Sequence, residues 1–264
     1  MQLGTRNVRV TWAVALILTS LLAACKSTPP AYQPPVRSYK KDPTQAAVAN
    51  MQLAIEYMRL GQLANSRERI EKALKEDPSN PVVQETAGLV YERVQEMSKA
   101  EHAFQTAMRL GKQDPDISNS YAGFLCRTGK TAAGEKLFLE VAQSPLYQTP
   151  EVALVNAGVC ARSSGDLLDA DKYFNRALAL RPNMPEALLQ SGNVAFDRGD
   201  AAQALQIVQR YLAVNKPTPE ILWLGFRAER KLGDTVNAAV FARRVQVEFP
   251  DSQQATNMRN GVDR

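Results

Sequence analysis

Three thiols and a single imidazole are the side chains of this sequence with the widest chemical range. The cysteines are Cys25, Cys126 and Cys160, and the histidine is His102. Thiols form disulfides, bind metals or carry covalent modifications, and an imidazole acts as a base or a metal ligand. These residues stand in no metal-binding spacing, and the sequence contains no glycine-rich phosphate loop and no serine nucleophile elbow. The sequence therefore predicts a protein that is not an enzyme.

The remaining ionisable residues support the same prediction. His102 lies between Glu101 and Ala103 on a helical pattern, where a solvated surface residue is expected. Carboxylates such as Glu68 and Glu71 stand at helical distances from lysines and arginines, as on an ordinary exposed helix face. We expect no cofactor, no metal and no small-molecule substrate.

Cys25 ends an apolar segment that follows two arginines. The segment Val10–Ala24 has about 15 residues, against the ~20 that a membrane-spanning helix needs. A positive start, a short apolar core and small final residues predict a signal peptide over residues 1–24. Cys25 is then either a cysteine that a plain signal peptide carries by chance or a residue with a role of its own.

The residues before this cysteine, Leu22-Ala23-Ala24-Cys25, resemble the lipobox of bacterial lipoproteins. The resemblance implies that Cys25 is lipidated and becomes the first residue of a mature chain of residues 25–264. Because Lys26 rather than aspartate follows, it also implies sorting to the outer membrane, with the protein lipid-anchored on the periplasmic face. Several acyl chains hold a protein firmly, whereas one holds it weakly.

Residues 25–45 are expected to form a lipidated, proline-rich tether. Proline removes amide donors and favours extended geometry, so the tether reaches at most ~60 Å at ~3.1 Å per residue. Its basic residues could contact anionic head groups, but a solvated linker is the favoured interpretation. The formal charge of +5 falls to +3 when the two arginines of the signal peptide are removed. This mild, interspersed charge argues against nucleic acid as a partner.

The rest of the chain repeats itself. Segments that begin at Ala47, Pro81, Pro115, Glu151, Pro185 and Pro219 are offset by 34, 34, 36, 34 and 34 residues. The fifteenth place of the frame is glycine in five of the six segments. Small residues recur at the eighth and twentieth places, where they allow two helices to approach closely. Large apolar residues at the twenty-fourth place fill the space between neighbouring units.

This frame resembles the tetratricopeptide repeat, a helix pair of 34 residues. The resemblance implies an all-α fold, a right-handed superhelical solenoid of six helix pairs over residues 46–250. Residues 251–264 are expected to form a C-terminal cap, with Ser252 as N-cap and Gly261 at its end. The expected repeats are 47–80, 81–114, 115–150, 151–184, 185–218 and 219–250.

Four departures from the frame are visible. Gln95 replaces the turn glycine of the second repeat, and Tyr211 stands where a small residue is expected. Gly225 and Phe226 are exchanged in the sixth repeat. The two extra residues before the fourth repeat predict a longer loop within Ser144–Pro150.

Cys126 and Cys160 are an even pair in an oxidising compartment, which favours a disulfide over two separate buried thiols. They lie in the first helices of the third and fourth repeats, at the twelfth and tenth places. Two places differ by about 200° around a helix, so one side chain must reach round or the local frame must shift. A bridge would lock this junction and stabilise the fold by ~3–4 kcal/mol in the chain-entropy picture.

In tetratricopeptide proteins, partners usually bind at places 2, 5, 9 and 12 of the first helices. In the first repeat these are Val48, Met51, Ile55 and Met58, an apolar row to which Leu89 of the second repeat adds. The row is expected to bind an apolar segment of a partner. The alternative is that it packs against the tether or the neighbouring helix.

The sixth repeat offers the opposite chemistry. Trp223, Arg227 and Arg230 share one helix face, with Lys231 beside them. This face could receive an acidic or aromatic segment, and a solvated charged end is the alternative.

The combination of lipobox, short tether, six repeats and thiol pair resembles the PilF/PilW family of type IV pilus biogenesis lipoproteins, the pilotins. The resemblance implies a protein that binds secretin subunits and promotes their outer-membrane localisation and multimerisation. It implies Cys25 as the sorting handle, and the row of Met51, Ile55 and Met58 as a secretin contact. The alternative is a tetratricopeptide adaptor lipoprotein for another outer-membrane task, such as β-barrel assembly or the scaffolding of peptidoglycan enzymes.

Overall fold

The computed structural model describes residues 45–112 and 114–261. Within these ranges the chain forms thirteen α-helices and no strand. The helices are α1 (Gln45–Arg59), α2 (Leu63–Glu76), α3 (Pro81–Arg93), α4 (Met97–Gly111), α5 (Pro115–Arg127), α6 (Thr131–Gln143), α7 (Pro150–Ser163), α8 (Leu167–Leu180), α9 (Pro185–Asp197), α10 (Ala201–Val214), α11 (Pro219–Leu232), α12 (Thr235–Glu248) and α13 (Gln253–Arg259).

The signal peptide, Cys25 and the tether up to residue 44 lie outside the described residues. None of the helices in the described ranges has both the length and the apolar character that a membrane span requires.

The helices pack as consecutive antiparallel pairs. Each odd-numbered helix from α1 to α11 packs against the helix that follows it, and also against the next odd-numbered helix. The first helix of every unit after α1 begins with proline, whose fixed φ suits this position and whose missing N–H is not needed there. Side chains of Asn80, Asp114 and Thr218 accept hydrogen bonds from backbone N–H groups at three of these starts. The predicted all-α tetratricopeptide solenoid is confirmed.

The turns between paired helices use left-handed backbone at the fifteenth place. Gly165, for example, has φ of 86° and closes the turn between α7 and α8. Gln95 occupies the same place in the second unit and still adopts φ of 63°. A side chain with a Cβ is strained there, so the surrounding helix pair imposes this conformation on Gln95.

Close approach within a pair depends on glycine facing an aromatic ring. A Cβ at Gly158 would lie 2.5 Å from Cε1 of Phe174, and one at Gly88 would lie 2.8 Å from the Phe104 ring. In the sixth unit Gly225 faces Phe241 in the same way, although both stand one place earlier in the frame. The exchange of Gly225 and Phe226 is therefore a shift of the packed face by one residue.

Other departures are accommodated locally. Tyr211 is buried, and burial raises the pKa of its phenol while a hydrogen bond with Thr218 opposes that rise. The loop before the fourth unit runs from residue 144 to 149, and α7 begins at Pro150, one residue before the expected boundary at Glu151. In α13, Ser252 Oγ accepts a hydrogen bond from the Ala255 N–H, as the sequence predicts for an N-cap.

Candidate functional site

Polar side chains link the first helices of successive repeats along one face. Ser120 Oγ on α5 donates to Glu85 Oε1 on α3 over 2.6 Å. Two turns further along, Arg127 Nε lies 2.6 Å from Glu92 Oε1. Both contacts join the fifth or twelfth place of one repeat to the sixth or thirteenth place of the next. We call this series of contacts the first-helix ladder.

The ladder continues beyond the third repeat. Asn156 Nδ2 on α7 donates to Asn119 Oδ1 on α5 over 3.1 Å. Arg162 on α7 forms an ion pair of 2.7 Å with Asp197 on α9. The first helices are thus joined by side chains that reach sideways rather than by apolar packing alone.

At the junction of α5 and α7, a disulfide replaces the ladder contact that joins the twelfth place of one repeat to the thirteenth place of the next. The sulfurs of Cys126 and Cys160 are bonded, and the two Cα atoms are 5.5 Å apart. Cys160 stands one helical turn before Ser163, the residue that would continue the pattern. Cys126 also lies against Gly134 of α6, where a Cβ would overlap its Sγ. Both sulfurs are therefore enclosed between α5, α6 and α7.

The apolar row of the first repeat is less exposed than its sequence suggests. Val48, Met51, Ile55 and Met58 are all half-buried. Met51 and Met58 pack against the core cluster that contains Ala54, Ile70 and Val90. This placement agrees with the alternative that the row packs against a neighbouring helix, because the cluster includes Val83, Ala87 and Val90 of α3. Leu89 of the second repeat is also half-buried and packs against the same cluster, so the whole row keeps partial exposure.

Cationic and aromatic side chains gather at the junction of α9 and α11. The Arg227 guanidinium carbon lies 4.1 Å from the centroid of the Phe196 ring, and Lys231 Nζ lies 5.1 Å from the same centroid. Trp223 and Phe226 are in ring contact, with centroids 5.3 Å apart, and Arg230 lies 5.6 Å from the Phe226 ring. We call this group the cation–aromatic patch; it comprises Phe196, Trp223, Phe226, Arg227, Arg230 and Lys231.

The patch contains a partly desolvated cation. Arg227 is half-buried, and burial lowers the pKa of its guanidinium. The carboxylate of Asp197 opposes this effect, and the positive charge of Arg162 adds to it. Because Asp197 already forms the ion pair with Arg162, it neutralises Arg227 only in part.

The sequence identified four members of this patch, namely Trp223, Arg227 and Arg230 with Lys231 beside them, and all four lie on α11. Trp223 is 8 % exposed, so its ring supports the patch more than it presents a surface. Reasoning from sequence missed Phe196, the ring on which two cations converge. Its place in the repeat frame could have identified it, because Phe196 holds the twelfth place, which Glu92 and Cys126 hold in earlier repeats.

His102 is exposed on α4, as expected, and borders a cavity of about 520 Å³. Tyr91, Lys99 and Arg109 also line this cavity. Within residues 45–112 and 114–261, no three His, Cys, Asp or Glu side chains are placed to hold a metal ion. Its lining residues belong to α2, α3, α4 and the turn between α2 and α3, whereas the row lies on α1 and the cation–aromatic patch on α9 and α11.

Comparison with known proteins extends these observations. Tetratricopeptide repeat family models match residues 51–115 and residues 161–224. The chain is 22 % identical over 208 residues to the type IV pilus assembly protein PilF of Pseudomonas aeruginosa, which covers 79 % of this chain and 82 % of that protein.

Two solved structures share the fold over nearly their whole length. PilW, described as a widely conserved type IV pilus biogenesis factor, superposes with a TM-score of 0.69 at 28 % identity, over 81 % of this chain and 98 % of PilW. The structure of Pseudomonas aeruginosa PilF superposes with a TM-score of 0.63 at 22 % identity, over 82 % of this chain and 97 % of PilF.

Proposed function

Because this chain is a tetratricopeptide repeat protein of the type IV pilus biogenesis family that includes PilF and PilW, we propose that it is an outer-membrane pilotin. In this role it binds secretin subunits, carries them to the outer membrane and promotes their multimerisation. The observation that carries the proposal is the likeness to PilW, which covers 98 % of that chain at 28 % identity. Relatedness along the full repeat array supports a shared task better than a match to one repeat does, because a single repeat records only helix packing.

The proposed mechanism is that of a passive adaptor. Lipid on Cys25 anchors one end, the tether gives reach, and the repeats hold a segment of the secretin. No covalent bond of the partner is made or broken. The lipidation of Cys25 and the outer-membrane location are part of this proposal and rest on the lipobox of the sequence.

We propose that the first-helix face of the first two repeats is the secretin contact. Val48, Ile55 and Leu89 supply half-buried apolar surface, and Met51 and Met58 are half-buried beside them on α1. Apolar side chains that keep partial exposure lose the remaining water contact when a partner segment covers them. This contact stabilises a complex without any ordered polar geometry.

The test measures secretin multimers and their membrane location in cells whose variants alter either the lipidation site or the proposed contact, but not both. Cys25→Ala should misplace the multimers while the protein still accumulates. Val48→Glu/Ile55→Glu should reduce the multimers, since carboxylates on this face oppose burial of an apolar segment. These two positions are better than Met51 and Met58, whose replacement would disturb the core.

A matched control is available on α12. Val236 and Val240 are 74 % and 54 % exposed, so Val236→Glu/Val240→Glu makes the same chemical change away from the proposed contact. The control should leave the secretin unaffected. If neither Cys25→Ala nor the first-repeat variant changes secretin location or assembly, the pilotin proposal fails. Cross-linking through the first-helix face would then identify the true client, such as a β-barrel assembly factor or a peptidoglycan enzyme.

A further inference from the structure

Two cations of α11 converge on one aromatic ring of α9. Arg227 and Lys231 are one helical turn apart, and both lie over Phe196 at 4.1 and 5.1 Å from its centroid. A ring face attracts a cation through its quadrupole, and the attraction strengthens when the cation is desolvated. Phe196 therefore holds both cationic groups in place at the surface.

This arrangement concentrates positive charge without a matching carboxylate. Among the residues that the structure describes, no carboxylate lies within ion-pair distance of Arg227 or Lys231. The nearby carboxylate of Asp197 is 2.7 Å from Arg162 and is thereby engaged. Like charges held close together repel, and an incoming anion relieves that repulsion.

The aromatic members extend the patch along α11. Trp223, Phe226, Arg227 and Arg230 stand at spacings of three and four residues, so they share one stripe of the helix. The ring contact between Trp223 and Phe226 fixes the apolar part of this stripe beside the cations. The cations of such a surface can pair with an anion. Its rings can pack against an apolar side chain that adjoins that anion.

We propose that the cation–aromatic patch binds an acidic segment of a partner polypeptide. Charge complementarity selects the occupant, because Arg227 and Lys231 present donors to carboxylates and no carboxylate of the described residues lies within ion-pair distance of either. The cations are held in fixed positions on a ring, which favours a ligand with directional carboxylates over a diffuse anionic surface. The inference is independent of the secretin contact, which uses the opposite end of the repeats.

The test uses the full chain in detergent and a fluorescein-labelled peptide of Glu, Asp and Phe. Binding is measured by fluorescence anisotropy at low and high salt. A peptide of the same length, with Gln and Asn in place of Glu and Asp, controls for apolar attraction. Vesicles of phosphatidylglycerol provide an anionic lipid surface for comparison.

Arg227→Gln/Lys231→Gln should weaken binding of the acidic peptide about tenfold, because two charge-assisted contacts are removed. Arg176→Gln/Lys75→Gln removes the same charge from exposed positions on α8 and α2 and should change binding little. Phe196→Leu keeps both cations but removes their support, so it should produce a smaller loss. High salt should weaken binding to the parent protein more than to the Arg227→Gln/Lys231→Gln variant.

Three results would overturn the proposal. The first is equal binding of the neutral peptide; the second is an equal loss in the Arg176→Gln/Lys75→Gln control. The third is loss of vesicle binding in the patch variant with unchanged peptide binding, which would assign the patch to a lipid surface. The secretin assay distinguishes this proposal from the pilotin role, because patch variants retain the first-repeat face.

Discussion

The junction of the third and fourth repeats and the junction of the fifth and sixth repeats use the same positions of the first helices with opposite chemistry. At the former, Cys126 and Cys160 close the junction with a covalent bond between a half-buried and a buried cysteine. At the latter, Phe196 occupies the place equivalent to Cys126 and receives two cations from α11. At the first junction both thiols are consumed by the disulfide, whereas the second exposes cations that Asp197, already paired with Arg162, neutralises only in part.

The contrast separates a structural junction from a binding surface on one scaffold. A repeat array repeats its packing, so side chains at equivalent places show what each junction is adapted to do. The following substitutions test whether the two junctions differ in stability as much as they differ in chemistry.

The largest effect is expected at the disulfide. Cys126→Ala/Cys160→Ala should lower the free energy of unfolding by ~3–4 kcal/mol, because the bond closes a loop between residues that are 34 apart. Urea denaturation followed by circular dichroism measures the loss. Reductant should reproduce it in the parent protein and leave the variant unchanged. A loss below ~1 kcal/mol would show that helix packing alone holds this junction.

The next largest effect is expected at a glycine in one of the first helices that form these junctions. Two such glycines should differ in how much their replacement by alanine lowers the free energy of unfolding. Gly158→Ala should cost about 2 kcal/mol, because its Cβ would lie 2.5 Å from the rigid ring of buried Phe174. Gly192→Ala should cost less than ~1 kcal/mol, because its Cβ would meet the flexible end of Leu224 and alanine favours a helix. Thermal and urea unfolding of both variants gives the comparison. Equal losses would contradict the expected difference in rigidity.

A smaller effect is expected at the ring of the second junction. Phe196→Leu should lower the free energy of unfolding by about 1 kcal/mol, since both cation–aromatic contacts are lost while apolar volume is largely kept. Arg227→Lys keeps a cation at both positions and should cost less. If Phe196→Leu destabilised the protein as much as loss of the disulfide, the patch would be a structural element rather than a binding surface.

The smallest effect concerns pH and Glu229 on α11. Burial first, and the negative charge of Asp234 second, raise the pKa of the Glu229 carboxyl. The folded state therefore holds this proton more tightly than the unfolded state does. Its ionisation destabilises the fold as pH rises above the unfolded pKa of about 4.3, and that penalty is absent at lower pH.

Glu229→Gln should therefore raise the free energy of unfolding at pH 7 by less than ~1 kcal/mol. The difference from the parent should disappear below about pH 4, where both side chains are neutral. Urea unfolding at several pH values measures it. A constant difference at all pH values would mean that the substitution acts through packing instead of charge.

The sequence by itself determined the repeat number, the paired helices and the places where small residues let two helices approach closely. These features depend on spacing inside one repeat, and local contacts impose that spacing on every copy. The frame alone gives Gly158 at a place of close approach and Gly165 in its turn, whereas the contact of Gly158 with the Phe174 ring is known only from the structure.

Only the tertiary structure decided what each face of a first helix meets. The frame left Cys126 and Cys160 about 200° apart by helical position. It also left open whether Met51 and Met58 would face a partner or a neighbouring helix, and both pack half-buried against a cluster that includes residues of α3. The rotation of one repeat against the next is set by side chains from different repeats. For that reason the disulfide junction and the cations on Phe196 emerge only when the repeats are stacked.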